Sequence, residues 1–251
     1  MLHVDAHFVR APDHVVGQDY AIARGSVAVV CDGCSGSAHT DVGARLLAHA
    51  CLADPDRVEQ PDRWLRAASR AATVVGLPDT ALDATCLLAT ASAETITVHV
   101  MGDGVLAARR VDGSLAVIHL VAAHEAPAYP SYRLDPDRAC AHRALAGIEP
   151  NSRAPEDAPV PQRVSGWLRW TFPRRDFKAV LVATDGAAAC TDAAGEACAL
   201  EAVVDALFRY PTARGEFVTR RLRRFVRREL AQRGWRCNDD LGLAALCWED
   251  A

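Results

Sequence analysis

Short apolar runs that stop at acidic turns alternate along this chain with stretches of helical period. Ser26-Val27-Ala28-Val29-Val30-Cys31 is almost continuously apolar and ends at Asp32-Gly33, the pattern of a strand buried on both faces that runs into a turn. From Thr40-Asp41 the period lengthens: Val42, Leu46 and Ala50 recur at helical spacing with Thr40 or Asp41 placed as N-cap. A second helix is predicted after Pro61-Asp62, through Trp64, Leu65, Ala68 and Ala72.

The period shortens again between residues 84 and 120. Runs at 85–90, 95–101, 105–109 and 115–120 are β-prone and separated by Ala-Ser-Ala-Glu, Gly-Asp-Gly and Asp-Gly-Ser, which predicts an antiparallel meander. Prolines 127, 130, 136, 150, 155, 159 and 161 then break the chain, so 126–165 reads as a strand-poor surface flap rather than a second domain. Strands are predicted again at 167–172 and 178–184, the latter ending in Asp185-Gly186, followed by helices at 196–209 and 214–233. A last strand, 241–248, is entered directly from Asn238-Asp239-Asp240. Strands, then helices, then strands, with no regular βαβ alternation, predict an α+β fold of sheets layered against helices, and 1–251 is simplest as one domain.

Composition narrows the class. Half the residues are hydrophobic and 24% charged, as in an ordinary globular protein, and a formal net charge of -4 with both signs interspersed argues against a polyanion partner. The arginines of 220–228 lie opposite Phe217, Val218, Leu222, Phe225, Val226 and Leu230 on a helical wheel; a solvated face is the plain reading, docking of an acidic or phosphorylated partner the other, and nucleic acid is not expected. No run approaches the ~18 apolar residues of a membrane span and no basic leader precedes an apolar stretch, so a cytoplasmic protein without a membrane partner is expected. Nine cysteines, several inside apolar runs (Cys31, Cys86, Cys247), are expected as free thiols; Cys31-Asp32-Gly33-Cys34 is formally C-x-x-C but lacks the helix start of a redox motif.

The chemistry lies in a repeated placement. Asp32-Gly33 and Asp185-Gly186 each end a strand, Gly102-Asp103-Gly104 joins two more, and Asp239-Asp240 opens the last. Each alone is an ordinary turn, as Asp112-Gly113 is taken to be. Together, carboxylates gathered at strand ends would repel one another unless cations held them. Oxygen donors without His or Cys at ligand spacing select Mg²⁺ or Mn²⁺ over Zn²⁺.

Gly17-Gln18-Asp19, Val29-Val30-Cys31-Asp32-Gly33-Cys34-Ser35-Gly36-Ser37, Asp41-Val42-Gly43-Ala44, Gly102-Asp103, Ala183-Thr184-Asp185-Gly186 and Asp239-Asp240-Leu241 occur in the order of the metal-dependent type 2C protein phosphatases. Over nearly its whole length the chain resembles that family, most of all its bacterial branch with a Gln-Asp opening. The resemblance implies a four-layer α-β-β-α sandwich of antiparallel sheets flanked by helices. It implies hydrolysis of phosphoserine or phosphothreonine in proteins by a hydroxide bridging two Mn²⁺ or Mg²⁺ ions, with a third ion in a looser position. It also implies roles: Asp32 bridging two ions, the Gly33 carbonyl on one of them, Asp185 and Asp239 completing the other site, Asp103 pairing with Asp185 at the third position, and Asp19 holding metal-bound water. The implied partner is a phosphoprotein substrate of a serine/threonine kinase, met by a monomer.

Three positions depart from the eukaryotic pattern. Gln18 stands where those enzymes place a glutamate, Cys34 where many carry a histidine proposed to protonate the leaving group, and His14 where a phosphate-binding arginine is expected. The general acid is then His39, another group or water. These departures keep open a second reading, a catalytically weak or inactive type 2C-like module that binds phosphoproteins, and a third, hydrolysis of a small phosphorylated metabolite. In the flap, Tyr129-Pro130-Ser131-Tyr132-Arg133 is either a substrate-contacting element or packing over the sheet edge.

Overall fold

The computed structural model describes residues 1–54, 60–146 and 151–249. Most of the strands form two six-stranded antiparallel sheets. The first runs β1 (Leu2–Val9), β14 (Leu241–Trp248), β11 (Phe177–Ala183), β6 (Gly104–Arg110), β7 (Leu115–Val121), β8 (Asn151–Arg153). The second runs β2 (Asp19–Arg24), β3 (Val27–Asp32), β4 (Cys86–Ala91), β5 (Thr95–Met101), β10 (Trp167–Pro173), β9 (Gln162–Val164). A small ribbon pairs β12 (Cys190–Thr191) with β13 (Arg236–Cys237).

The near-continuous apolar runs follow from burial on both faces. Val30, Leu87, Val98 and Phe172 of the second sheet meet Leu106, Ile118, Val180 and Leu246 of the first in the core between the sheets. One residue along, Val29, Cys31 and Leu88 face the other way, onto Leu47 of α1 (Thr40–Ala53) and Trp64 and Leu65 of α2 (Pro61–Val74). On the far side, Leu181, Leu243 and Ala245 pack against Val204 and Leu207 of α4 (Leu200–Leu207) and Leu222 of α5 (Phe217–Arg224). Each such buried large aliphatic side chain contributes about 1.5–3 kcal/mol. The result is the expected four layers, helix, sheet, sheet, helix.

Several local readings change. β1 was not predicted, although Leu2, Val4, Ala6 and Phe8 alternate and pack toward the inter-sheet core; it pairs with β14 from Leu2↔Trp248 to Val9↔Leu241. Neither Thr40 nor Asp41 caps α1: the N-cap is His39, left-handed at φ 64, and the Thr40 hydroxyl instead donates to the Cys34 carbonyl (3.0 Å). The flap is not irregular, because it holds α3 (Pro136–Ala146) as well as β8 and β9. The predicted 214–233 helix is α5, a π-helical turn Phe225–Glu229 and α6 (Leu230–Arg233). Its arginines are exposed except Arg221, which is buried in an ion pair with Glu229. Among the described residues no helix is long and apolar enough to cross a membrane.

Candidate active site

The site lies where the ends of the two sheets meet. β2 and β3 place Asp19 opposite Asp32 in register. Asp19 is only 2% exposed and reaches across to the other sheet: its Oδ2 accepts from the Thr184 hydroxyl (2.6 Å) and the Gly242 amide (2.7 Å). One carboxylate thus ties the exit of β11 and the entry of β14 to the start of β2. Asp185 follows at once on a 3₁₀ turn, and that turn presses on the chain before β14, since a Cβ on Gly186 would sit 1.8 Å from the Asp240 carbonyl oxygen. Only glycine permits that approach.

Asp239 and Asp240 divide their labour. Asp240 is buried and its carboxylate accepts from the amides of Ala11 (2.7 Å) and Gln18 (2.6 Å) and from His14 Nδ1 (3.0 Å), so it anchors the 11–18 loop. A carboxylate only accepts, so Nδ1 of His14 carries the hydrogen and its Nε2 is left 3.9 Å from Asp239 Oδ1. Asp239 remains partly exposed and open to the site.

Asp32, Gly33, Asp103, Asp185, Asp239 and His14 all line one cavity of about 610 Å³, with Asp19 buried beneath it. The structure does not bring His39 there. His39 lines an adjoining groove that shares His14, Gln18 and Ser35 with the cavity.

Burial and crowding push these carboxyls upward. Asp185 rises to about 7 through burial and then the charges of Asp103 and Asp239. Burial raises Asp103 to about 6. Asp19 goes to about 8 through burial, against the hydrogen bond it accepts from Thr184. Asp32 lies well above its usual range from burial, then the charges of Asp19 and Asp185, and Asp239 is raised by burial. Among the described residues no Lys or Arg lines the cavity to offset them. A set of acids that cannot all ionise alone, with no cationic side chain supplied, fits a divalent cation. Among the described residues no three His, Cys, Asp or Glu side chains close on a point tightly enough to hold an ion by themselves. An ion held there would take waters for the rest of its shell, as Mg²⁺ commonly does.

Two residues that matter escaped the sequence reading. Asp240 was hidden in the Asp239-Asp240 doublet, which does not say which of its carboxylates is structural. Asp83, 1% exposed, accepts from Ser37 (2.7 Å), Ser131 (2.6 Å) and Arg138 (2.6 Å), pinning the flap to the Asp32-Gly33-Cys34 turn, whose Cys34 amide donates to the Asp83 carbonyl (2.8 Å). From the other side, Tyr129 of the flap lines the cavity with Cys34, and burial raises its phenol.

The family model for protein phosphatase 2C matches residues 13–227. The chain belongs to the protein phosphatase 2C family. Among solved structures it is similar to the catalytic domain of the serine/threonine phosphatase PstP in complex with two manganese ions, at 19% identity, 99% of each chain covered and a TM-score of 0.60. It is also similar to PstP/Ppp of Mycobacterium tuberculosis (20% identity, 99% of each chain, TM-score 0.61). Stp1 of Staphylococcus aureus follows at 12% identity, with 100% of this chain and 96% of that chain covered and a TM-score of 0.55. These likenesses are of fold. No curated protein matches the chain by sequence. Within this phosphatase 2C fold Gln18 lines the cavity, and its Nε2 donates to the Cys34 carbonyl (3.2 Å) and the Thr40 hydroxyl (2.7 Å), fastening the entry of β2 to the start of α1.

Proposed function

We propose that this chain is a protein serine/threonine phosphatase that hydrolyses phosphoserine and phosphothreonine with two Mn²⁺ or Mg²⁺ ions, a third occupying a looser position. The observation that carries the reading is the acid-lined cavity, which no Lys or Arg among the described residues lines to balance it. Asp32 and the Gly33 carbonyl would hold one ion, Asp32, Asp185 and Asp239 the other, and Asp103 with Asp185 the third. When bound, such ions lower the pKa of water and neutralise phosphoryl oxygens during in-line attack.

The protein's own groups do the rest. Asp19, in register opposite Asp32 and locked by Thr184 and Gly242, would orient water beside Asp32. His14, held through Nδ1 by Asp240, would donate from Nε2 to the phosphate when the ring is protonated. Tyr129 and Pro127 of the flap wall the cavity on the substrate side. The substrate of this reading is the phosphoprotein product of a serine/threonine kinase. His39 acts as general acid only if the leaving side chain departs through the groove it lines. His39→Ala then slows alkyl phosphates more than aryl phosphates, whose leaving groups need no proton; equal losses on both reject the role.

The engagement of Gln18 with Cys34 and Thr40 favours a second reading, a phosphoprotein-binding module with weak turnover. Asp185→Ala separates the two. An enzyme loses metal-dependent phosphate release, whereas a module that never turned over keeps its phosphopeptide affinity and shows no release to lose.

A further inference from the structure

Two of the nine cysteines face each other across the smallest sheet. Cys190 and Cys237 are paired in register, and the Asn238 amide donates to the Ala189 carbonyl (3.4 Å) beside them, which makes theirs a non-hydrogen-bonded pair. That pair type brings Cα atoms to about 4.5 Å. Disulfides span about 4.4–6.8 Å between Cα atoms, so the backbone needs no rearrangement to accept one. The two Sγ atoms are 3.5 Å apart, and the Cys237 thiol also donates to the Gly186 carbonyl (3.5 Å). Cys190 is buried but Cys237 is partly exposed, so an oxidant can reach the pair from one side. The buried trio Cys31, Cys51 and Cys86 differs: its thiols are also close, with Cys51 and Cys86 3.9 Å apart, but all lie inside the helix-facing core of the second sheet.

The ribbon also has a consequential address. Cys190 lies five residues after Asp185, and Cys237 lies two before Asp239. We propose that Cys190 and Cys237 are a reversible oxidation site that closes to a disulfide, linking the Asp185 turn covalently to the segment that delivers Asp239. With hydrogen peroxide, the Cys237 sulfur attacks an oxygen, the O–O bond breaks and one water leaves. The sulfenic acid so formed is attacked by the Cys190 sulfur, the S–S bond forms and a second water leaves. Two thiols lose two hydrogens and two electrons, and hydrogen peroxide becomes two waters. A dithiol reverses the step by exchange.

Closing the sulfurs to about 2.05 Å takes the Cys237 thiol hydrogen from the Gly186 carbonyl, beside Asp185, and replaces a thiol contact between the strands by a covalent link. The Asp185 turn loses that hydrogen bond and is tied to the segment that delivers Asp239, so the two can no longer adjust independently and oxidation weakens Mn²⁺ binding. This consequence rests on the metal site proposed above; the thiol chemistry does not.

The test oxidises the purified chain with hydrogen peroxide, alkylates the remaining thiols and maps the peptides by mass. A Cys190–Cys237 linked pair lighter by two hydrogens, removed by dithiothreitol and absent from Cys190→Ser and Cys237→Ser proteins, is the expected result. Peroxide that leaves both thiols free, drives Cys237 to a sulfinic acid, or links Cys237 to neighbouring Cys198 overturns the site. Circular dichroism and melting of the serine variants show that they fold. Calorimetric titration with Mn²⁺ reads the second half: affinity several-fold weaker in the oxidised wild type and unchanged by peroxide in Cys237→Ser is expected. Equal affinity in oxidised and reduced wild type overturns the coupling. Failure of Mn²⁺ to bind the reduced wild type contradicts the metal site and leaves the thiol result standing by itself.

Discussion

Asp83, outside the acid cavity, is a buried junction between three segments of the chain. Its carboxylate accepts from Ser37, Ser131 and Arg138, so α1's approach, the flap and α3 all converge on one buried group. Asp83→Ala leaves two hydroxyls and a guanidinium without their acceptor, at a cost of about 2–4 kcal/mol in denaturant unfolding. Because none of the lost contacts is to the acid cavity, turnover of a small aryl phosphate should survive while protease cuts the flap faster. Unchanged stability and unchanged flap cleavage would show that the flap is held elsewhere. Nothing in Leu82-Asp83-Ala84 distinguishes this aspartate from a turn residue; its meaning comes from partners 46 to 55 residues away in sequence. The same holds for Asp240, whose role is set by Ala11, 229 residues distant.

At the scale of elements, what was legible in the sequence follows from burial. β3, β4, β6, β11 and β14 are covered on both faces, and that produces apolar runs no other element explains. β1 is an edge strand whose residues are all of intermediate exposure, with His3, Asp5 and His7 interleaved, so its alternation is muted. The start of α1 was misread because the Thr40 hydroxyl, the natural cap, is engaged by Cys34 and Gln18 instead. The Asp-Gly pairs were readable as a site because strand ends must turn, yet only the packing of Gly186 on Asp240 explains why glycine follows Asp185. A methyl group there has to displace the Asp240 backbone. Gly186→Ala should therefore lower the melting temperature by several degrees and reduce Mn²⁺ affinity together, as calorimetry and titration would report. A melting temperature equal to wild type would mean that the β14 entry yields freely.

For the whole molecule, the acid cavity sets how stability depends on pH and metal. In the folded state Asp185 is raised from 3.8 to about 7. Between those values the folded protein keeps a proton that the unfolded chain has released, so metal-free stability falls as pH rises across that window. In Asp185→Asn this contribution is missing, and the fall in melting temperature from pH ~4 to pH ~7 should be shallower than in wild type. Saturating Mn²⁺ should stabilise wild type most at the upper end, where the carboxylates are free to ionise. A metal-free slope identical in both proteins would mean that Asp185 is not crowded as described.

The ordered motifs fall at one end of the two sheets, around the acid-lined cavity, and that end is proposed as a metal-dependent phosphatase site. The most direct test is phosphate release from a phosphothreonine peptide by purified protein with Mn²⁺ and with chelator, beside Asp239→Ala. Release that needs Mn²⁺ and falls by orders of magnitude in the variant is the predicted result. No release with Mn²⁺ from a protein shown to be folded, or release that Asp239→Ala leaves intact, would contradict the account.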